Sequence, residues 1–544
     1  MTVAEYLIYV LKENYATDIF GIPGGVVLDF LYAADKEIGI STYLSYHEQA
    51  AAFEAIGYAQ VNHTLGVAYA TRGPGFTNLI TGIADAYADS IPVLFITGHG
   101  GHAVGHSMRF EKEQELDTVS MVQHITKYAD VIECVSECWK IEKAISTALC
   151  GRKGPVMLDI SSDVWTKEVD GFSTAPVDVE CENDESVDLF ELQEMIKESK
   201  RPVLMLGDGI RQSGTYKKIR TLLDVAKMPV ISSRGGQDVA AGSDYYFGYI
   251  GSHGIRYANL IFDKADLVIS LGNRMSFPTA SETYTKSIDT KRFAQIEIEH
   301  GELKSVLPNY TSFELDLSIA IDKLNRFQYN DYVAWNDVCR TIKKELEYTD
   351  INRIVQSLVD KFKTISPDTT LVCDVGNNEF WTSRAYELSG NTNRILYSKS
   401  FGALGCGIPK AIGAALNTGK PVLAIVGDQG FQINVQELQF IKQNDLPIEI
   451  LVINNQTSGM IEDREKSKYG YEIHTTKESG YSALDLKKIA VAYNLNYGGV
   501  GLPLISEIEI STYFPLEPSI AKGNKMYNMK PYIDEEMISY LERL

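Results

Sequence analysis

Two side chains that carry oxygen ligands, Asp428 and Asn455, each follow an apolar run of strand length. The first run, Val422 to Val426, ends just before Asp428, and the second, Ile448 to Ile453, ends just before Asn455. Apolar residues at helical spacing between Ile433 and Ile441 predict a helix that connects the two runs. Two buried strands joined by a helix form a parallel βαβ unit with a right-handed crossover. Asp428 and Asn455 are therefore expected at neighbouring strand ends, where open α/β sheets bind ligands.

The chemistry of these two residues indicates what the ligand is. Carboxylate and amide oxygens are the ligands that small hard cations such as Mg²⁺ prefer. The turn that contains Gly427 also opens a helix, and a helix N-terminus favours a bound diphosphate. The sequence therefore predicts a site for Mg²⁺ holding a diphosphate.

A second candidate for chemistry is Glu48, which comes directly after a predicted strand and starts a helix rich in alanine. A carboxyl group in such an apolar setting is poorly solvated, which favours its protonated form at neutral pH. The alternative is structural, because an acidic residue at a helix start also complements the helix dipole.

Length, composition and charge limit the function classes. The chain has 544 residues, of which 44% are hydrophobic and 23% charged, as in a globular protein with room for three domains. Its formal net charge of -21 argues against nucleic acid or an anionic membrane as partner. No apolar stretch reaches the roughly 20 residues that span a bilayer. The first 15 residues lack the basic region and cleavage site of a signal peptide. Seven scattered cysteines suggest reduced thiols, and we expect a cytoplasmic protein.

Helix and strand patterns divide the chain into three α/β blocks, each predicted to be a doubly wound parallel-sheet domain. The blocks are residues 1–165, 186–330 and 350–530, with a C-terminal tail at 531–544. An acidic stretch with Pro and Ser separates the first two blocks and is typical of a linker. The predicted strands are Thr17 to Gly21, Thr42 to Ser45, Gly66 to Ala70, Val93 to Thr97, Val156 to Ile160, Val203 to Leu206, Val230 to Ser232, Leu267 to Leu271, Gln295 to Ile298, Leu371 to Asp374, Ile395 to Tyr397 and the two runs named first.

Several segments together resemble the thiamine diphosphate enzymes of the acetolactate synthase and 2-keto acid decarboxylase superfamily. The segments are FGIPGG at 20–25, SYHEQAA at 45–51, TRGPGFTN at 71–78, RFEKEQELD at 109–117, DVGNNEFW at 374–381, SFGALGCG at 400–407, and GD at 427–428 followed by NN at 454–455. They lie in all three blocks, in the order of the family's pyrimidine-binding, central and diphosphate-binding domains.

The resemblance implies a role for each matching residue. Glu48, Gln114 and Gly25 are the expected catalytic residues, with Glu48 hydrogen bonded to the pyrimidine ring of the cofactor. The expected Mg²⁺ ligands are Asp428, Asn455 and the main-chain carbonyl of Thr457. The residues expected to bind the cofactor are Pro23, Gly24, Glu48, Thr71, Pro74, Asn78, Asn377, Asn378, Gly402, Ala403, Leu404, Gly427, Asp428, Gln429, Gly430, Asn455, Thr457, Gly459 and Met460.

The chain departs from the acetolactate synthase pattern at several of these positions. Asn377 and Asn378 replace a Gln-His pair, and asparagine donates the same kind of hydrogen bond with a shorter reach. Leu404 replaces the methionine that bends the cofactor, although a leucine there is also an ordinary core residue. Arg464 replaces a tryptophan that selects the acceptor, which predicts a more polar or anionic acceptor. The alternative is a surface arginine in a charged loop.

The function that the resemblance implies is a carboligase. It decarboxylates a 2-keto acid donor, with pyruvate as first choice, and joins the resulting carbanion to a carbonyl acceptor. A simple decarboxylase that releases an aldehyde is the alternative, and a non-catalytic regulatory subunit is disfavoured because Glu48 is kept. The family places its sites at a subunit interface, so a homodimer or tetramer is expected. The central block resembles one that holds FAD in acetolactate synthases, and FAD stays an open alternative here.

Overall fold

The computed structural model describes residues 1–100, 113–169, 186–251, 253–275, 291–303, 309–347 and 351–509. The first residues of the predicted 109–117 segment, the acidic linker and the C-terminal tail lie outside these ranges. The chain forms two compact units. One contains Met1–Cys181, Asp368–Asn378 and Leu396–Ser511, and the other contains Glu182–Pro367 and Glu379–Ile395.

The first unit contains two six-stranded parallel sheets. The strands of its first sheet are β1 (Asp18–Gly21), β2 (Ser41–Leu44), β3 (Gly66–Tyr69), β4 (Val93–His99), β5 (Tyr128–Ile132) and β6 (Val156–Ser161). The helices of this part of the chain are α1 (Val3–Glu13), α2 (Leu28–Lys36), α3 (Glu48–Asn62), α4 (Pro74–Asp89), α5 (Thr118–Val122) and α6 (Trp139–Leu149). The strand order is β2-β1-β3-β4-β6-β5.

The second unit is built on one six-stranded parallel sheet. Its strands are β7 (Pro202–Leu206), β8 (Val230–Ser232), β9 (Tyr246–Tyr249), β10 (Leu267–Leu271), β11 (Arg292–Glu297) and β12 (Tyr310–Glu314). Its helices are α7 (Phe190–Glu198), α8 (Gly209–Gln212), α9 (Tyr216–Ala226), α10 (Gln237–Ala240), α11 (Arg256–Lys264), α12 (Leu317–Leu324), α13 (Val333–Glu345) and α14 (Arg353–Phe362). The order β12-β11-β10-β7-β8-β9 places the first strand beside the fourth, as in sheets that bind dinucleotides.

The last part of the chain forms the third sheet. Its strands are β13 (Thr370–Cys373), β14 (Ile395–Leu396), β15 (Val422–Gly427), β16 (Ile448–Asn454), β17 (Asn496–Tyr497) and β18 (Leu504–Glu509). Its helices are α15 (Asn377–Ser389), α16 (Gly407–Thr418), α17 (Asp428–Ile433), α18 (Leu438–Gln443), α19 (Gly459–Lys468) and α20 (Leu486–Ala492). Its order, β14-β13-β15-β16-β18-β17, repeats that of the first sheet strand for strand.

These findings confirm the predicted fold class of parallel α/β sheets. Every strand predicted from the sequence is present, with ends that differ by at most three residues. The sequence analysis missed β5, β9, β12, β17 and β18, and all of these except β18 lie at the edge of a sheet. Edge strands are partly exposed, so their apolar pattern is weak. The boundaries proposed for the three domains stay predictions.

The predicted helix between Ile433 and Ile441 is wrong in detail. The chain instead forms α17, a 3₁₀ turn at Val435–Glu437, and α18. The break follows from packing, because the side chain of Asn434 turns inward and donates to the carbonyl of Gly405 at 2.8 Å. Asparagine often replaces a helical bond with such a side-chain bond. The three short pieces still cross from β15 to β16, and the predicted parallel βαβ connection is confirmed.

The cysteines only partly follow the expectation of reduced thiols. Cys150 is disulfide-bonded, whereas Cys134, Cys138, Cys339, Cys373 and Cys406 are free. Across the described ranges, the helices are too short or too polar to cross a membrane.

Helices α3 and α16 pack against each other with their backbones in direct contact. A Cβ atom on Gly57 of α3 would lie 2.6 Å from the Cα of Lys410 in α16. A Cβ atom on Gly413 of α16 would lie 2.6 Å from the backbone nitrogen of Tyr58 in α3. Both distances are far below a van der Waals contact, so only glycine fits at these two positions.

We expect Gly413→Ala to destabilise the protein by about 3 kcal/mol or more, because the clash is with backbone that cannot rotate away. Thermal or urea unfolding measures this loss. Gly301→Ala is the control, since a Cβ atom there meets nothing within 4 Å. Equal midpoints for the two variants would contradict the close helix contact.

Candidate active site

The first group of predicted residues lies around Glu48, the first residue of α3. The ring nitrogen of His47 accepts a hydrogen bond from the backbone N–H of Gln49 at 3.0 Å and caps the helix. Glu48 is buried, with 9% of its surface exposed. Asn78, on the first turn of α4, donates from Nδ2 to Glu48 Oε2 at 2.9 Å. Asn78 thus fixes one of the two carboxyl oxygens of Glu48.

Glycines allow the loops of this first group to approach one another. A Cβ atom on Gly24 would clash with the Thr71 side chain, and one on Gly75 would lie 3.2 Å from Glu48 Oε1. A Cβ atom on Gly73 would lie 2.7 Å from the Cβ of Gln114. Gln114 has the left-handed φ of 61°. The structure therefore brings the predicted Gly24, Thr71, Asn78, Gln114 and Glu48 segments together.

The predicted Pro23, Gly25 and Pro74 lie at the edge of the first group. All three are exposed, and a Cβ atom on Gly25 would meet nothing within 4 Å. Packing therefore does not require a glycine at position 25. A ligand or a second chain that approaches the backbone would require one.

The second group lies around Asp428, where β15 ends and α17 begins. Asp428 Oδ1 accepts from the backbone N–H of Gln429 at 3.0 Å. The backbone N–H of Gln456, a residue with the left-handed φ of 53°, also hydrogen bonds to this carboxylate. Oδ2 is buried without a hydrogen-bond partner in the described part of the chain. Burial raises the pKa of Asp428 to about 6, although these donors act to lower it.

Asparagine side chains and glycines complete the second group. A Cβ atom on Gly459 would lie 2.9 Å from Asn455 Nδ2 and 3.0 Å from Asn377 Nδ2, so these amides meet at one glycine. Asn378 donates to the carbonyl of Asp374 at 2.8 Å, and its Oδ1 faces Gly427. Asn377 Oδ1 is buried with no hydrogen-bond partner among the described residues.

Asp374 is a site residue whose role the sequence analysis missed. Its Oδ1 accepts from the backbone N–H groups of Val375 at 2.7 Å and Gly405 at 3.0 Å. Burial raises its pKa to about 6. A Cβ atom on Gly430 would lie 2.5 Å from Asp374 Oδ2 and 3.6 Å from Leu404 Cδ1, so the predicted Leu404 and Gly430 lie beside this carboxyl group. In the sequence, Asp374 is the first residue of the DVGNN segment, and its position at the end of a predicted strand is the signal that could have identified it.

The loop that carries the predicted Gly402 and Ala403 is held by buried side chains. The backbone N–H groups of these two residues donate to Ser398 Oγ at 3.1 and 3.2 Å. Ser398 in turn donates to Asp85 on α4, and the buried Lys410 forms an ion pair with Asp85 at 2.8 Å.

A second carboxylate of α4 holds the same loop. Asp89 accepts from the backbone N–H groups of Lys399 at 2.7 Å and Ser400 at 2.9 Å. Helix α4 therefore contacts Glu48 through its first turn and positions this loop through its last turns.

The far edge of the second group is the start of α19. The Thr457 hydroxyl lies within hydrogen-bond distance of the buried Glu462 carboxyl group and of the Thr475 carbonyl, which fixes the backbone around the predicted carbonyl ligand. Met460, Ile461 and Arg464 lie on the exposed surface of the same helix. Arg464 is thus available to a ligand or to solvent.

Tyr481 is another residue of this group that the sequence analysis missed. Burial and the nearby Asp428 carboxylate raise the pKa of its hydroxyl. Nothing in the sequence singled it out, because it lies in a loop without a recognised motif.

A small cation and a diphosphate fit the donors of the second group. Asp428 Oδ2 and Asn377 Oδ1 are buried oxygens without partners, and buried polar atoms are normally satisfied. The first turn of α17 adds backbone N–H groups beside glycines, the arrangement that binds anions. No group of three or more His, Cys, Asp or Glu side chains suited to a metal occurs in the described ranges. A cation here would therefore use amide and carbonyl oxygens beside one carboxylate, as predicted.

Glycines that follow two neighbouring strands of the central sheet lie close together. Gly207 and Gly209 follow β7, and Gly272 follows β10, the two strands at which the strand order reverses. The backbone N–H of Gly209 donates to the carbonyl of Gly272 at 3.0 Å. Such a switch point is where open α/β sheets bind their ligands.

Family models match the chain in three places. The thiamine pyrophosphate enzyme N-terminal TPP binding domain matches residues 1–121, the central domain 189–324 and the C-terminal TPP binding domain 374–505. The first contains the Glu48 group up to Gln114, and the last contains the Asp428 group up to Tyr481. The fold and the site thus define a thiamine diphosphate-dependent enzyme.

Similar proteins narrow this class. The acetolactate synthase large subunit of Lactococcus lactis subsp. lactis (strain IL1403) is 33% identical over 86% of this chain and 83% of its own length. The acetolactate synthase large subunit of Pyropia yezoensis is 31% identical over 88% of this chain and 84% of its own length. The acetolactate synthase isozyme 2 large subunit of Escherichia coli (strain K12) is 29% identical over 97% of this chain and 99% of its own length. The chain belongs to the thiamine pyrophosphate enzyme family, among its acetolactate synthase-like members. This confirms the predicted family and the predicted carboligase class of enzyme.

The structure assembles the predicted site residues in two groups. Glu48 makes no hydrogen bond to a residue of the Asp428 group within the described part of the chain. The role assigned to each residue stays a prediction.

We expect Ser398→Ala to weaken thiamine diphosphate binding about tenfold or more, because two backbone N–H groups and Asp85 lose their shared partner. Titration calorimetry with Mg²⁺ present measures the Kd. Ser400→Ala is the matched control, since Ser400 uses only its backbone N–H in this network. The same Kd in both variants would show that the Ser398 bonds do not position the loop.

Proposed function

We propose that the protein decarboxylates pyruvate and joins the remaining two-carbon unit to a second carbonyl compound, using thiamine diphosphate and Mg²⁺. The observation that carries this proposal is the buried Glu48, fixed by Asn78 on one oxygen, in a chain similar to acetolactate synthases over most of its length. When bound, thiamine diphosphate would supply the nucleophilic carbon for this reaction and would accept the electron pair released when CO₂ departs.

The residues of this chain would supply the proton transfer and would bind the metal and the cofactor. Glu48 would hold and move the proton at the aminopyrimidine end of the cofactor. Asp428, Asn455 and the Thr457 carbonyl would hold Mg²⁺, and Asn377 would donate to the diphosphate. The amide of Asn378 already donates to the Asp374 carbonyl and would support this site from behind. Leu404 supports the cofactor between its two ends.

We also propose that the working enzyme is a homodimer or a tetramer. The predicted site residues form two groups, and each would be completed by the other group of a second copy. Exposed apolar side chains at the Asp428 group support this proposal, among them Phe401, Ile433, Met460 and Ile461. A second chain would cover them, since large apolar side chains clustered at a surface often mark an interface.

The test is incubation of the purified protein with Mg²⁺, thiamine diphosphate and a panel of 2-keto acids, followed by mass spectrometry. We expect a product that has lost CO₂ and gained a carbon–carbon bond, and loss of turnover after chelation with EDTA. An aldehyde as the only product would support the alternative decarboxylase. No turnover of any 2-keto acid would contradict both functions.

The same sample tests whether the protein binds FAD. The dinucleotide-type order of the central sheet supports FAD. Bound flavin would give its visible absorption band after gel filtration, and a colourless active enzyme would exclude it.

We expect Glu48→Gln to lower turnover about 100- to 10,000-fold, the range for removal of an acid/base group. The fold and thiamine diphosphate binding should be retained, because Gln still accepts from Asn78. Steady-state kinetics and calorimetry measure the two effects. Asp35→Asn, an exposed charge change on α2, is the control. Near-normal turnover of the Glu48 variant would rule out this role.

We expect Arg464→Ala to raise the KM for an anionic acceptor about tenfold or more, since hydrogen bonds to charged groups contribute about 1.5–3 kcal/mol. Kinetics with the donor saturating and the acceptor varied measure the change. Lys468→Ala removes a charge from the same exposed helix and should have little effect. An unchanged acceptor preference in the Arg464 variant would identify it as an ordinary surface arginine.

A further inference from the structure

Two buried carboxyl groups, Glu54 of α3 and Glu437 of the 3₁₀ turn Val435–Glu437, meet beside the segment that leads into Glu48. Both have no exposed surface. The Ser45 hydroxyl donates to Glu54 Oε2 at 2.5 Å. The backbone N–H of Tyr46 donates to both oxygens of Glu437, at 3.1 and 3.3 Å. Together the two acids hold the residues that join β2 to α3.

Glu54 Oε1 is buried without a hydrogen-bond partner among the described residues, and the carboxyl group of Glu437 lies close enough to interact with Glu54. A hydrogen bond between the two acids would satisfy this oxygen. Two carboxylates have only acceptors, so this bond requires a proton on one of them. Burial, with the other carboxyl group next, raises the pKa of Glu54 well above its usual value. Burial also raises the pKa of Glu437, although the N–H groups of Tyr46 and His47 oppose it.

The charged and titratable groups around the pair do not balance a second negative charge. On the facing helix α16, Lys410 is ion paired with Asp85. The His47 ring accepts from Gln49, and only the His47 backbone N–H reaches Glu437. The Gln436 amide donates to Glu437 at 3.4 Å, and Tyr43 on β2 packs against Phe440. Two neighbouring carboxylates in such a place strongly disfavour double ionisation.

We infer that Glu54 and Glu437 share one proton at neutral pH and act as positioning residues that set the orientation of Glu48. The shared proton joins α3 to the segment after α17, so losing it places two negative charges in contact. That repulsion displaces the Ser45 to His47 segment and with it the start of α3. The effect on catalysis depends on the role proposed for Glu48, whereas the shared proton does not.

The sign of the pH effect follows from the raised pKa values. The folded protein keeps a proton that the unfolded chain loses near pH 4.5, the ordinary value for Glu. The stability that the pair contributes is therefore complete below that pH and is lost as the pH rises through the folded pKa.

Glu54→Gln tests the inference, because its amide donates to Glu437 permanently and needs no proton. Thermal unfolding from pH 6 to pH 9 should show a variant midpoint that falls less steeply than that of the wild type. At pH 9 we expect it to be higher than the wild type by about 1 to 2 °C, the shift that roughly one pKa unit produces in a protein of this size. Asp35→Asn makes the same charge change on the surface and should leave the slope unchanged. Parallel curves for the wild type and Glu54→Gln would overturn the inference.

The pH profile of turnover separates positioning from simple stabilisation. Measured below the unfolding temperature, turnover of Glu54→Gln should extend to higher pH than that of the wild type. An unchanged alkaline limit would overturn the positioning role. If no 2-keto acid is turned over at all, the proposed function fails, and the unfolding curves still decide whether the proton is shared.

Glu437→Gln is a second variant, in which the amide stands at position 437 and donates to Glu54. It should likewise make the unfolding midpoint fall less steeply with pH. Should neither variant fold, infrared titration of the wild type decides. We expect an un-ionised carboxyl band that persists after Asp374 and Asp428, with a pKa of about 6, and Glu387, with a pKa of about 7, have ionised. Absence of that band would overturn the inference.

Discussion

The direct backbone contact between α3 and α16 is the constraint on which the first unit depends. Gly57 and Gly413 lie at the crossing, where any side chain would clash with the opposite backbone. Helix α3 carries Glu48 at its start, and α16 directly follows the loop with Gly402, Ala403 and Leu404. A shift of either helix would therefore move a predicted site segment. Packed interiors transmit such shifts because they contain little free volume.

Buried charges then fix the loops that the helices leave free. Lys410, Asp85 and Asp89 are buried in the first unit, and isolated charges at such positions would be costly. Their cost is offset because the two carboxylates also accept from Ser398 and from backbone N–H groups of the loop. Breaking one of these bonds leaves a buried charge with fewer partners, so the loop is held in one conformation.

Several carboxyl groups in the first unit have raised pKa values, and their partners show what each does. Asp374 is satisfied on one oxygen by backbone N–H groups and lies beside the predicted cofactor segments. Asp428 keeps one oxygen without a partner, as a metal ligand would. Glu54 and Glu437 instead face each other and hold the segment before Glu48. The same cause, burial, therefore acts on carboxyl groups in three different local arrangements, which differ in the neighbouring donors.

The sequence by itself determined the fold class, the family and the segments that form the site. Central parallel strands are buried on both faces and read as continuous apolar runs, and the residues that follow them mark the ligand edge. The glycine and acid motifs were recognisable because backbone approach to a cofactor permits few residue types.

Only the tertiary structure revealed the edge strands, the break at Asn434, and the roles of Asp374, Tyr481 and Glu437. It also paired Glu54 with Glu437, which are 383 positions apart in the sequence. The physical reason is that a carboxyl group acquires its function from desolvation and from the donors around it. Those neighbours come from distant segments, and no local pattern in the chain encodes them.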